Sequence, residues 1–199
     1  GSEMCIRDRV KGTAIFLMDY ENREWETFDI RRLAREGLFR GEWDMANPVP
    51  VPSRLRMPFD GVPRVTQWYG ENPAYYAQFG VAGHNGIDFG LVTGTPLRAA
   101  CEGRVTRVRK YSTGYGWHVF VNHGWGETLY AHMSRIDVTE QQDVEEGEVL
   151  GLSGNTGNST GPHLHYGLRI YGVHVPNMSN WCDAAPMLGL RTWEETAMD

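Results

Sequence analysis

From Met57 onward the chain is written in short apolar runs broken by glycine-containing turns, and this punctuation restricts the folds open to it. Residues 105–110, 117–123, 128–132 and 164–170 are each of strand length. Ser112-Thr113-Gly114, His123-Gly124-Trp125-Gly126 and Gly154-Asn155-Thr156-Gly157 supply turns. Short strands at this spacing predict a mainly β fold, an antiparallel sheet sandwich or partly open barrel carrying a groove.

The sequence ahead of that region reads differently. Residues 12–29 alternate apolar and polar around Glu21-Asn22-Arg23, the pattern of a hairpin. Ile30, Leu33, Ala34 and Leu38 then have helical spacing, with Asp29 as a candidate N-cap and Gly37 as a stop. This strand–strand–helix unit, residues 10–47, is too small to be stable alone and is expected to pack on the downstream domain. Residues 1–9 resemble a cloning scar followed by adapter-derived sequence. Residues 48–57, opened by Pro48-Val49-Pro50-Val51-Pro52, read as a stiff linker or strap. The main domain is expected over 58–190, with a tail over 191–199.

Charge narrows the partners. Residues 1–59 carry 10 basic and 10 acidic groups, which makes Arg31, Arg32 and Arg35 a solvated helix face rather than a recognition surface. Residues 60–199 carry 9 basic and 15 acidic groups, a poor match to phosphate, so no nucleic-acid partner is expected. No apolar run approaches the ~20 residues of a membrane span. Residues 14–18 are too short for a signal-peptide core. With Cys5 in the adapter-like segment, Cys101 and Cys182 remain, either as one disulfide or as two buried thiols. Cys101 has no histidine near it in sequence and is not read as a nucleophile.

Chemistry concentrates in two places. His163-Leu164-His165 opens an apolar run, so a strand there turns both imidazoles to one face and Leu164 to the other. Upstream, His84 and Asp88 lie four apart in a segment whose Gly86 and Gly90 argue for a loop entering a strand. His, Asp and a further His form a two-nitrogen, one-oxygen set that suits zinc with a position left open for water. His118 and His123 flank one strand and face opposite sides; His123 is read as a structural hydrogen-bonding residue and His174 as exposed. The aromatic loop between Trp68 and His84 either lines a groove or pins the loop to the core.

His84-x-x-x-Asp88 followed by His163-x-His165 resembles the lysostaphin-like (LytM-type) zinc peptidases, which cut the peptide part of bacterial peptidoglycan. Gly94-Thr95-Pro96, Gly114-Tyr115-Gly116, Tyr130-Ala131-His132 and Gly151-Leu152-Ser153-Gly154-Asn155-Thr156-Gly157 continue the resemblance in order, over residues 58–190. The resemblance implies that His84, Asp88 and His165 bind one zinc ion per chain. It makes His132 and His163 the two non-ligand catalytic histidines, with Tyr69, Tyr75, Tyr76 and Tyr130 as candidates to line the substrate groove. Two departures stand out: Cys101-Glu102 replaces a small residue and Asp, and Tyr166-Gly167 replaces an aromatic–Glu pair.

The implied activity is zinc-dependent endopeptidase hydrolysis of peptidoglycan stem or cross-bridge peptides by a bacterial or phage lysin. Such an enzyme works as a monomer in the envelope or outside the cell, or is made in the host cytoplasm by a phage. Gly–Gly and D-Ala–diaminopimelate bonds remain open as targets. A catalytically silent wall-binding or regulatory relative is the alternative, against which all five site residues stand. A biotin or lipoate carrier is excluded because the lysines, Lys11 and Lys110, lie in no fitting turn. Ser153 lacks the second glycine of a nucleophile elbow.

Overall fold

The computed structural model describes residues 4–6, 14–19, 24–29, 50–192 and 195–196. Near the N-terminus, β1 (Met4–Ile6), β2 (Ala14–Asp19) and β3 (Glu24–Asp29) form an antiparallel sheet of order β1-β2-β3. β2 and β3 are the expected hairpin, and β1 comes from the adapter-like segment. The helix expected over 30–38 lies outside the described residues.

The other strands are β4 (Val65–Gln67), β5 (Ile87–Gly90), β6 (Pro96–Arg98), β7 (Gly103–Lys110), β8 (Trp117–Asn122) and β9 (Gly126–Ala131). They continue with β10 (Arg135–Ile136), β11 (Asp143–Val144), β12 (Val149–Leu152) and β13 (His163–Ile170). Seven make one open antiparallel sheet of order β11-β7-β8-β9-β13-β5-β4; β10, β12 and β6 make a second. The sheet ends on β11 and β4 without closing, in keeping with the open architecture expected. Among the described residues, α1 (Pro73–Tyr76) and the 3-10 turn Ala77–Phe79 directly after it form a short helical step in the loop between β4 and β5.

Strand alternation divides the large sheet into two faces. Leu164, Tyr166, Leu168 and Ile170 of β13 point into the main core with Ile87, Phe89, Val119, Val121 and Tyr130. Each such side chain contributes about 1.5–3 kcal/mol on burial, so a one-residue slip of β13 would cost several of these at once. This fixes a register in which His165 lies opposite Asp88 on β5 and Ala131 on β9. The chemistry-bearing residues therefore share the other face.

That second face has a small core of its own: Phe120, Leu129, Ala131 and Trp181, with Tyr69 and Tyr115 packed against it. Trp181 comes from the segment after β13 and packs against Gly167, where a Cβ would fall 2.6 Å from the indole. The Arg169 guanidinium covers the same ring at 4.0 Å.

The Pro-rich stretch is a strap sewn into the domain. Leu55 and Phe59 are buried in the main core, and the Leu55 N–H donates to Met187 O at 2.8 Å. The core thus begins ahead of residue 58.

Candidate active site

His84 arrives on the loop before β5. Its Nδ1 lies 3.1 Å from Trp68 O. A carbonyl only accepts, so the proton of a neutral His84 sits on Nδ1 and the Nε2 lone pair faces inward. Asp88 projects from β5 and His165 from β13, paired across the sheet. His84 Nε2, His165 Nδ1 and Asp88 Oδ1 form a triangle with edges of 3.0, 3.0 and 3.1 Å.

These three can hold a metal ion. Tetrahedral ligands at about 2.0 Å from zinc lie about 3.3 Å apart, close to the observed edges. Proton counting points the same way. Three electron-rich atoms converge, and only His165 Nδ1 has a proton available to place between them. His165 Nε2 is buried with no hydrogen-bond partner. A cation resolves this convergence and lets the His165 proton reside on Nε2.

Electrostatics follow the geometry. Burial alone pushes the Asp88 carboxyl up, but the hydrogen bond from His165 and the pull of the His165 and His84 rings outweigh it and hold it well below the usual carboxylate range. Burial lowers His165, against the opposing pull of Asp88.

Two further histidines stand beside the triangle. His163 shares the face of His165, its Nδ1 2.8 Å from Gly161 O and its Nε2 3.5 Å from Asp88 Oδ2. His132 comes directly after β9 in the left-handed region, with φ of 59°. Its Nδ1 donates to Thr156 O at 2.7 Å, and burial brings its pKa down to about 4. The two rings lie 4.5 Å apart. Both imidazoles, when neutral, carry their proton toward a backbone carbonyl and leave Nε2 as the basic nitrogen.

The groove tyrosines divide. Tyr76 packs 5.4 Å from the His84 ring and donates to Gln67 Oε1 at 3.1 Å; burial, then the Asp88 charge, raises its pKa well above the usual range. Tyr75 is exposed and stands edge-on to Tyr76 and Phe79. Tyr69 belongs to the small core, its hydroxyl donating to Trp181 O at 2.7 Å. Tyr130 does not line the groove. Alternation along β9 sends it to the opposite face, fully buried, where its oxygen accepts the Ala100 N–H and burial lifts its pKa to about 12.

The remaining assignments are simple. His123 places Nδ1 2.6 Å from Glu102 O and Nε2 2.9 Å from Thr128 Oγ1, a structural role. His118 lies on the site face beside Tyr115 and Phe120, and His174 is exposed. Cys101 and Cys182 are not joined in a disulfide; burial raises Cys101 above its ordinary pKa, unlike an activated nucleophile. Reading the residues alone missed Asn85, Tyr115 and Trp181. Asn85 Nδ2 donates to Tyr115 Oη at 2.7 Å, and the Tyr115 ring lies 5.2 Å from His165. Gly167, a glycine inside a strand, was the available signal for a close neighbour such as Trp181.

Comparison with known proteins agrees with this architecture. Residues 82–177, which include all five site residues, match the model of peptidase family M23. The DD-carboxypeptidase/endopeptidase Mpg of Neisseria meningitidis serogroup B is 47% identical over 97 residues, 48% of this chain and 22% of that protein. A mutant catalytic domain of the prophage-encoded M23 protein EnpA from Enterococcus faecalis is 35% identical, with a TM-score of 0.52, covering 63% of this chain and 91% of that one. A zinc-containing peptidase from Vibrio cholerae is 27% identical with a TM-score of 0.51, covering 89% of this chain and 47% of that one. The chain spans about a quarter of the length of the curated relatives it matches, 26% and 22% for the first two. With the domain-length likeness to EnpA, the family match and the shared fold, the chain belongs to peptidase family M23.

Proposed function

We propose that this chain is a zinc endopeptidase that hydrolyses peptide bonds in bacterial peptidoglycan, in stem or cross-bridge peptides. The observation that carries the reading is the triangle of His84 Nε2, Asp88 Oδ1 and His165 Nδ1, with the basic Nε2 atoms of His132 and His163 beside it. The names of Mpg and of the glycyl-glycine endopeptidase ALE-1 of Staphylococcus capitis support the substrate class.

In this reading His84, Asp88 and His165 are the ligands. A zinc ion bound there supplies Lewis acidity and brings the pKa of its water to about 7. His132 or His163 accepts the proton of the nucleophilic water at Nε2. As the C–N bond of the tetrahedral adduct breaks, the same pair returns a proton to the leaving amine. Fixing Nδ1–H on Thr156 O and Gly161 O keeps both Nε2 atoms free for this work. Tyr75 and Phe79, exposed and packed on Tyr76 beside His84, are in this reading the side chains that meet the substrate on its way in. All five residues come from one chain, so a single copy suffices. Action on wall peptide places the enzyme at the envelope, as a bacterial or phage lysin; no helix among the described residues is long and apolar enough to cross a membrane.

The test is mass spectrometry of fragments released from purified walls of several chemotypes. Wild-type protein releases new peptide termini, His165→Ala releases none, and a chelator stops release until zinc is restored. Wild-type protein that holds stoichiometric zinc yet releases nothing from any wall would overturn the proposal in favour of a wall-binding regulator.

A further inference from the structure

His132 is an awkward residue to place. A non-glycine residue at φ 59° is strained, and it persists only where its surroundings over-determine it. The surroundings here converge on Thr156. Its carbonyl accepts the His132 Nδ1–H at 2.7 Å. Its hydroxyl accepts the Trp117 N–H at 2.9 Å and donates to Met133 O at 2.8 Å. Met133 and Trp117 are themselves joined, the Met133 N–H donating to Trp117 O at 2.9 Å, while the His132 N–H donates to Tyr115 O at 2.9 Å. The hydroxyl thus clips the loop carrying the carbonyl to the residue after His132 and to the start of β8. Space around it is minimal: a Cβ on Gly116 would fall 2.4 Å from Thr156 C and O.

We propose that Thr156 is a positioning residue for His132, its hydroxyl holding the 153–159 loop so that its own carbonyl dictates which His132 nitrogen carries the proton. The inference rests on the peptidase reading for its kinetic consequence, but not for the tautomer. Without the hydroxyl, two backbone groups lose their partner, the carbonyl drifts, and His132 divides its proton between Nδ1 and Nε2. A ring protonated on Nε2 cannot accept a proton there.

The experiment compares zinc-loaded full-length wild type with Thr156→Val, Thr156→Ala and Thr156→Ser. Nitrogen-15 NMR of the histidine rings reports the tautomer, and wall-peptide cleavage reports kcat and KM. In wild type and Ser the His132 proton resides on Nδ1; in Val, or in Ala should Val not fold, the two tautomers mix. The expected kcat loss in Val or Ala is between about 10- and 100-fold, with KM and zinc content changed less than about two-fold and Ser restoring the rate. The proposal fails if Val or Ala keeps the Nδ1 tautomer, if Ser is as impaired as Val, or if wild-type His132 carries its proton on Nε2. A wild type that cleaves no wall peptide refutes the peptidase reading, while the NMR arm still decides the role of Thr156.

Discussion

At the scale of the residue, the His–Asp–His triangle depends on a glycine as much as on its own three side chains. A Cβ at Gly86 would fall 2.6 Å from Tyr166 O and 2.7 and 2.8 Å from Cε1 and Nε2 of His165. The carbonyl belongs to a central strand and cannot yield, so the loop carrying residue 86, with His84 two residues before it, must shift, and the His165 imidazole with it. Gly86→Ala is expected to weaken zinc binding about 10- to 100-fold, read by competition with a chromophoric chelator, with little change in the far-UV spectrum. His123, on the far face, offers a pH signature. Burial lowers its pKa from 6.5, against a hydrogen bond to Glu102 O. Between that lowered value and about 6.5 the unfolded chain takes up a proton that the folded chain refuses. Its contribution is therefore complete above about pH 6.5 and lost as pH falls. The melting temperature should drop between about pH 7 and pH 5.5, and His123→Gln should shrink that drop. The grouping of His163 with His165 and of His84 with Asp88 was legible in the sequence because two-fold strand alternation and loop glycines leave a signature, whereas His132 was named only by the family resemblance. The atoms were not: which nitrogen faces inward is set by carbonyls of Trp68, Thr156 and Gly161, and a carbonyl has no letter in the sequence.

At the scale of the element, β13 does most of the organising. One face carries Leu164, Tyr166, Leu168 and Ile170 into the core, and the other presents His163, His165, Gly167 and Arg169. Its bounds were foreseen to within a residue, as were those of β8, because turn glycines mark their ends. Tyr130 was misplaced because a tyrosine reads equally well as groove or core until the register of β9 is known. The Tyr166-Gly167 departure acquires a physical reason, since Trp181 occupies the space a side chain at 167 would need. Gly167→Ala should cost about 1–3 kcal/mol by overpacking and Trp181→Ala about 3–5 kcal/mol by cavity formation. In the double variant the Ala at 167 meets no indole, so the two costs should fall short of their sum by about 0.5–3 kcal/mol in denaturant melts. Additive costs would mean that the close approach carries no strain.

At the scale of the whole molecule, the described domain is closed by its two ends. The strap holding Leu55 and Phe59 meets the segment holding Met187 and Leu188, joined by the bond from Leu55 N–H to Met187 O. Leu55→Ala should cost about 2–5 kcal/mol, lowering the melting temperature by about 5–15 °C without altering zinc content. The prolines announced a stiff segment but not what it lies against, because the partner is more than 100 residues away in sequence. The open, antiparallel, mainly β architecture was legible from strand length and turn spacing, whereas the choice between barrel and open sheet rested on pairings that no local pattern encodes.

The protons of His84, His132 and His163 all end on peptide oxygens, those of Trp68, Thr156 and Gly161. Every amino acid brings such an oxygen, so point substitution cannot delete one. In the peptidase reading, loop side chains that do not themselves hold these carbonyls, as Thr156 is proposed to do, are thereby free to change for new specificities while the acid–base logic stays put. Their weakness is length: a single insertion or deletion there would carry the wrong atom to the ring and silence the centre at a stroke.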